Sequence, residues 1–109
     1  MHIETSILKY EKSISVIIYT KDGEKHVKSQ VSAIIRTGKK EYILLPESNS
    51  PTNVVYYAAS RPNCIKALGD GVFEAKYVGK DVGEIKSVEI LAVKGGKTER
   101  QLIELTQIR

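Results

Sequence analysis

The chain has no tryptophan, one phenylalanine, one cysteine and one methionine among 109 residues. A single cysteine excludes an intramolecular disulfide. Cys64, His2 and His26 stand far apart without ligand spacing. A zinc site asks for about four such side chains, so no metal is expected. As a nucleophile Cys64 would need a histidine beside it; the expectation is a small buried side chain instead. The carboxylates are scattered next to lysines, as in KDGEK and KTER. None is set among apolar neighbours that would raise its pKa, so no catalytic residue is assigned and no cofactor is implied. No apolar run approaches the ~20 residues that cross a bilayer. The N-terminal MHIETSILKYEKS lacks a basic start followed by an apolar stretch, which argues against a secretory signal and for a cytoplasmic protein. Asn and Gln are scarce, three of each, whereas Lys and Ile number 13 each. That balance is typical of thermophile proteins.

What is present is a basic excess with a location. The net charge is +4. Residues 21–40, KDGEKHVKSQVSAIIRTGKK, carry Lys21, Lys25, Lys28, Arg36, Lys39 and Lys40 against Asp22 and Glu24. The other 89 residues hold eleven basic and eleven acidic side chains and balance. A localised positive segment is the electrostatic mark of a surface that meets a polyanion; the plainer alternative is a solvated face. A second basic group, Lys94, Lys97 and Arg100, flanks Gly95-Gly96. KGGKT resembles a fragment of a phosphate loop, but it falls between two strands, where paired glycines simply turn the chain.

Apolar, β-branched runs separated by turn residues dominate the pattern. SISVIIYT (13–20) sets Ile14, Val16 and Ile18 on one side, and Asp22-Gly23 follows as a hairpin signal. VSAIIRT (31–37) and EYILLP (41–46) flank Gly38-Lys39-Lys40. The stretch 24–37 fits a helical stripe as well as strand alternation; its serines and β-branched residues favour strand. VFEAKYV (72–78) alternates. IKSVEILAV (85–93) and RQLIELTQI (100–108) read as a hairpin joined by residues 94–99. Ser50-Pro51 suits a helix start and Pro62 a stop, which predicts one short helix over 51–61. Within it, Tyr56 and Tyr57 sit among Val54, Val55, Ala58 and Ala59, so at least one is expected to pack in the core rather than to stack bases.

Were 24–37 helical, the element order would resemble that of the Alba chromatin proteins. Their Gly-Arg-x-x-x-Lys-Ala stretch has no counterpart here; Arg61 to Lys66-Ala67 has the wrong spacing and a proline inside it. A strand-rich order with one mid-chain helix is similar to OB-type barrels.

The expected architecture is therefore a single α+β domain spanning 1–109 and dominated by strands. It is a small antiparallel sheet or partly open barrel with about six strands and one short helix. The expected core is Ile14, Val16, Ile18, Val31, Ile35, Ile43, Leu45, Val88, Ile90, Leu105 and whichever of Leu102 and Ile103 faces inward. The expected function is a non-enzymatic module that binds DNA or RNA, with Lys21, Lys25, Lys28, Arg36, Lys39, Lys40, Lys94, Lys97 and Arg100 on phosphates. The alternative is a structural or protein-interaction module, including a self-assembling subunit joined through an edge strand. An exposed apolar patch or an unpaired edge strand would mark it.

Overall fold

A computed structural model describes residues 1–46 and 63–105. Among the described residues nine strands follow one another: β1 (His2–Lys9), β2 (Ser13–Asp22), β3 (Lys25–His26), β4 (Gln30–Thr37), β5 (Glu41–Leu44), β6 (Cys64–Gly69), β7 (Val72–Val78), β8 (Ile85–Lys94) and β9 (Lys97–Glu104). The only helical element among the described residues is a 3-10 turn, Val82–Glu84. The strand-dominated class therefore holds. The helix expected over 51–61, with Tyr56 and Tyr57, lies outside the described residues. No helix among the described residues is long and apolar enough to cross a membrane.

The strands form two antiparallel sheets. One has the order β1-β2-β7-β6, with β3 paired to the end of β2; the other has the order β5-β4-β8-β9. Their inward faces supply one hydrophobic cluster. Ile14, Val16 and Ile18 of β2 and Phe73, Ala75 and Tyr77 of β7 come from the first sheet. Val31, Ala33 and Ile35 of β4 and Val88, Ile90 and Ala92 of β8 come from the second. On one side the sheets are stitched together: the Ile65 N–H donates to the Leu45 carbonyl at 3.0 Å, and Pro46 bridges Ile65. On the other side β1 and β9 approach each other. Among the described residues each pairs only with its inner neighbour, at an edge of its sheet.

The stretch 30–37 is a strand, paired to β5 and β8, so a helical 24–37 and the Alba-like order it would allow are not found. Burying Val31, Ala33 and Ile35 uses the period-two face, and pairing with β5 and β8 satisfies the backbone of 30–37 on both sides. The last hairpin is tighter than its sequence suggests. Lys94 already pairs with Lys97, leaving Gly95 and Gly96 as a two-residue loop. Their φ values of 58° and 80° suit the primed turn whose twist matches the strands.

Two expected core residues are corrected. Ile43 and Leu45 are 64% and 60% exposed; Leu44 is buried between them and Tyr42 packs against the core. All of Tyr42, Ile43, Leu44 and Leu45 are apolar or aromatic, so parity is not readable from this run alone. Pairing decides it, because Ile43 lies opposite Ile34, on the side of β4 that faces away from Ile35. Of the last pair, Ile103 packs inward and Leu102 is 51% exposed, while Leu105 is buried as expected.

Candidate interaction face

The basic residues singled out above divide between the two ends of the molecule. Lys21 closes β2, with its Nζ 3.1 Å from Glu4. Lys25 lies in β3, and Lys28, just before β4, has its Nζ 3.8 Å from Asp70. Lys94 and Lys97 flank the Gly95-Gly96 turn at the same end, and Lys94 Nζ lies 3.0 Å from Asp22. Two hairpin tips more than 70 residues apart are thus brought side by side. Glu4, Asp22 and Asp70, however, offset three of these five lysines directly. Lys39 and Lys40 occupy the β4–β5 turn at the opposite end, where both backbone N–H groups donate to the Thr37 hydroxyl. An eight-residue strand rises roughly 23 Å, so these lysines share no patch with the first group.

Arg36 and Arg100 belong to a different surface, the outward face of the β5-β4-β8-β9 sheet. Arg36 Nε donates to Glu41 at 2.7 Å, and its terminal nitrogen lies 2.9 Å from Glu89. Arg100 reaches the other Glu89 oxygen at 3.4 Å. Hydrogen bonds to Glu41 and then Glu89 push the Arg36 guanidinium pKa upward, so its charge is fixed. These four side chains close an ion network across four strands.

Around that network apolar and polar side chains share the face. Cross-strand register sets Ile43 opposite Ile34, Ile34 opposite Glu89, and Glu89 opposite Leu102. The next rows pair Ser32 with Leu91 and Gln30 with Val93. Ile43, Leu45, Leu102 and Val93 are exposed by 64%, 60%, 51% and 38%. Ile34 and Leu91 are half-buried between them. The outward face of the other sheet is likewise cut by polar side chains, among them Glu4, Ser15, Glu74, Lys66 and Lys76, with Leu8 and Val78 exposed beside them, and its Ser15 hydroxyl donates to Glu74.

The sequence pattern does not single out this face. Each strand of this sheet holds consecutive apolar residues, Ile34-Ile35, Ile43-Leu44-Leu45, Ile90-Leu91 and Leu102-Ile103, but so do strands of the other sheet, as in Ile7-Leu8, Val16-Ile17-Ile18 and Val72-Phe73. A strand with one face in water alternates; a doublet places one member outside.

Other chemistry is thin. Among the described residues no three His, Cys, Asp or Glu side chains gather as a metal-holding group. Cys64 is half-buried on β6 rather than in the core. His26 stacks on Tyr19 with ring centroids 5.7 Å apart, and His2 lies 3.1 Å from Glu4. Comparison of the chain with protein-family models, with curated proteins and with solved structures found no match.

Proposed function

We propose that this chain is a non-enzymatic interaction module that docks protein through the outward face of the β5-β4-β8-β9 sheet. One observation carries the reading: Ile43, Leu45, Val93 and Leu102 are exposed on one sheet face, with Ile34 and Leu91 half-buried on the same face. Exposed apolar surface of this kind has a hydration cost that a partner removes. The ion network beside it helps. Arg36 and Arg100 are already paired with Glu41 and Glu89, so covering them strands no lone charge. The test is a photo-crosslinking amino acid placed at position 43, with the same residue at Lys76 on the opposite sheet as control, in the cells that make the protein. The expected result is defined protein adducts from position 43 and none from position 76. Absence of adducts at 43, or the same pattern at both sites, rejects the proposal.

A second reading, phosphate binding, is favoured by the convergence of Lys25, Lys28, Lys94 and Lys97 around two hairpin tips, with the Tyr19–His26 ring pair on β2 and β3 nearby. Its test is a mobility-shift titration with single- and double-stranded DNA and RNA at two salt concentrations. It expects weak sequence dependence and a steep loss of affinity with salt. No shift at low salt with micromolar protein rejects it.

A further inference from the structure

We infer that the free edge of β1 is a docking surface and that its occupant is β1 of a second copy, added antiparallel so that the first sheets of two copies run on as one. This edge is a separate surface from the sheet face above, so the two readings stand or fall independently.

A sheet ends in a row of unpaired backbone groups, and folds blunt such ends to keep other chains away. β5, β6 and β9 are blunted. β5 is four residues long. β6 breaks register between Ala67 and Gly69 and is stitched to Leu45 and Pro46. β9 turns Glu99 and Gln101 to the core side, opposite Ala92 and Ile90. β1 has none of these devices. Its eight residues hold one unbroken register against β2 and contain no proline. Ile3, Thr5 and Ile7 lie on its core side, opposite Thr20, Ile18 and Val16, with Lys9 only at the end. Among the described residues no backbone hydrogen bond joins β1 to β9. The connection 47–62 leaves from the β5 side and returns to β6, at the ends of the two sheets away from β1 and β9.

Hydrogen-bond phase fixes what this edge offers. The Tyr10 N–H donates to the Ser13 carbonyl at 2.8 Å. Antiparallel pairs alternate, so Leu8, Ser6, Glu4 and His2 bond through their backbone to β2, and Ile3, Thr5, Ile7 and Lys9 turn their N–H and C=O groups outward. A two-fold axis normal to the sheet and beside Thr5 sets Thr5 opposite the partner's Thr5 and Ile3 opposite the partner's Ile7. Every contact off the axis then occurs twice, as an isologous interface requires. These are the residues whose backbone points outward, so about six hydrogen bonds form across the axis.

Side chains select this register. On the core side it brings isoleucine to isoleucine on either side of a Thr–Thr pair. On the outer side Glu4 meets the partner's Ser6, and His2 meets the partner's Leu8. Each Glu4 is already held by its own Lys21 at 3.1 Å. At the rim Lys9 faces the partner's Met1, whose amine is paired with Asp22 at 2.9 Å. Sliding one copy by two residues sets Glu4 against Glu4 in one direction and Lys9 against Ile3 on the core side in the other. A slide of one residue opposes core-side positions to outer ones. The edge is therefore complementary to itself in one register, which makes β1 of a second copy its occupant.

An edge of about seven residues makes a small interface, so the dimer should be reversible. Sedimentation equilibrium of the purified full chain from ~1 μM to ~1 mM should show the mass rising from 12.1 kDa toward twice that value. Amide hydrogen exchange over the same range, read residue by residue by NMR, should slow several-fold at Thr5 and Ile7. It should change far less at Ser6 and Leu8, whose N–H groups bond to β2. Thr5→Pro removes the N–H at the axis and leaves the β1–β2 ladder its bonds, because that N–H points outward; it should weaken association at least ~10-fold. If Thr5→Pro does not fold, Thr5→Lys, which sets two ammonium groups opposite each other, should do the same. A chain that stays monomeric at millimolar concentration overturns the inference. So does a dimer that is indifferent to these variants or leaves exchange at Thr5 and Ile7 unchanged, since its interface then lies elsewhere. Full protection of Thr5 and Ile7 in the dilute monomer also rejects the second copy, because the edge is then covered within one chain.

Discussion

Thr20 is fully buried, yet each of its polar atoms is matched. Its N–H donates to the Gly71 carbonyl, its carbonyl accepts from the Val27 N–H, its hydroxyl donates to the Val27 carbonyl at 2.7 Å, and that hydroxyl accepts from Ser29 at 3.1 Å. One residue thereby holds the β2–β3 hairpin, the lead into β4 and the β6–β7 turn together, its hydroxyl serving the first two. Thr20→Val keeps the shape and removes the hydroxyl, leaving the Val27 carbonyl short of a donor. The expected loss is about 1–3 kcal/mol in urea unfolding. A second cluster ties the sheets at the other end. Tyr42 of β5 and Tyr77 of β7 stack at 4.8 Å, and their hydroxyls donate to the two oxygens of Asp81 at 2.5 and 2.9 Å. The Tyr42 and Tyr77 hydrogen bonds hold the Asp81 carboxyl below its ordinary value of 3.8. Burial first, and then its bonds to Tyr42 and Asp81, push the Tyr77 phenol well above its usual range. A lowered acid contributes stability that is full above its unfolded pKa and fades as pH falls through the folded one. A raised phenol contributes stability that is full below its unfolded pKa and fades as pH rises through the folded one. Tyr42→Phe/Tyr77→Phe should therefore destabilise the protein at neutral pH. It should also flatten the fall in stability below about pH 4 that the Asp81 linkage produces, which denaturant titrations at pH 2.5, 4 and 7 would measure.

At the scale of elements, turn chemistry and register divide the work. Paired glycines between alternating strands announce the β8–β9 hairpin in the sequence, because only residues tolerant of positive φ close a two-residue loop. Gly96→Ala, at φ 80°, should cost about 1–2 kcal/mol by melting, with the strands still paired. Gly71 is under a harsher constraint. A Cβ there would lie 2.7 Å from the Val27 nitrogen and 2.9 Å from the Thr20 oxygen, both backbone atoms, at a φ of +74°. Gly71→Ala should therefore cost more than Gly96→Ala in the same experiment, since strain and a backbone clash add. Asp70-Gly71 reads as a turn from sequence, but the approach of Val27 and Thr20 does not, because those residues are more than 40 positions away. β1 and β6 also escaped the sequence reading. HIETSILK alternates, yet only its eight-pair register against β2 shows what it covers. CIKALG is short and becomes a strand by pairing with β7.

Charge organises the whole molecule differently from the chain. Six basic residues within 21–40 suggest one electropositive surface. Folding sends Lys25 and Lys28 to one end and Lys39 and Lys40 to the other, and gives Lys21 and Arg36 acidic partners from β1, β5 and β8. Two hairpin strands running the length of the molecule separate residues that are close in sequence by as much as their own length.

Sequence alone determined the strand-dominated class, the inward triplet Ile14-Val16-Ile18 and the glycine-tipped hairpins. Each is a local property, legible from alternation or from a turn residue's allowed φ. The strand at 30–37 and its inward Val31, Ala33 and Ile35 were settled by pairing with β5 and β8. Tertiary structure decided which of Ile43, Leu44 and Leu45 is buried, and which of Leu102 and Ile103 faces out. It also closed the network of Glu41, Arg36, Glu89 and Arg100, and set exposed Ile43, Leu45, Leu102 and Val93 on the same face. The physical reason is the two-residue period of a strand. Where adjacent positions are both apolar, composition favours neither face, and only the register set by a neighbouring strand chooses between them.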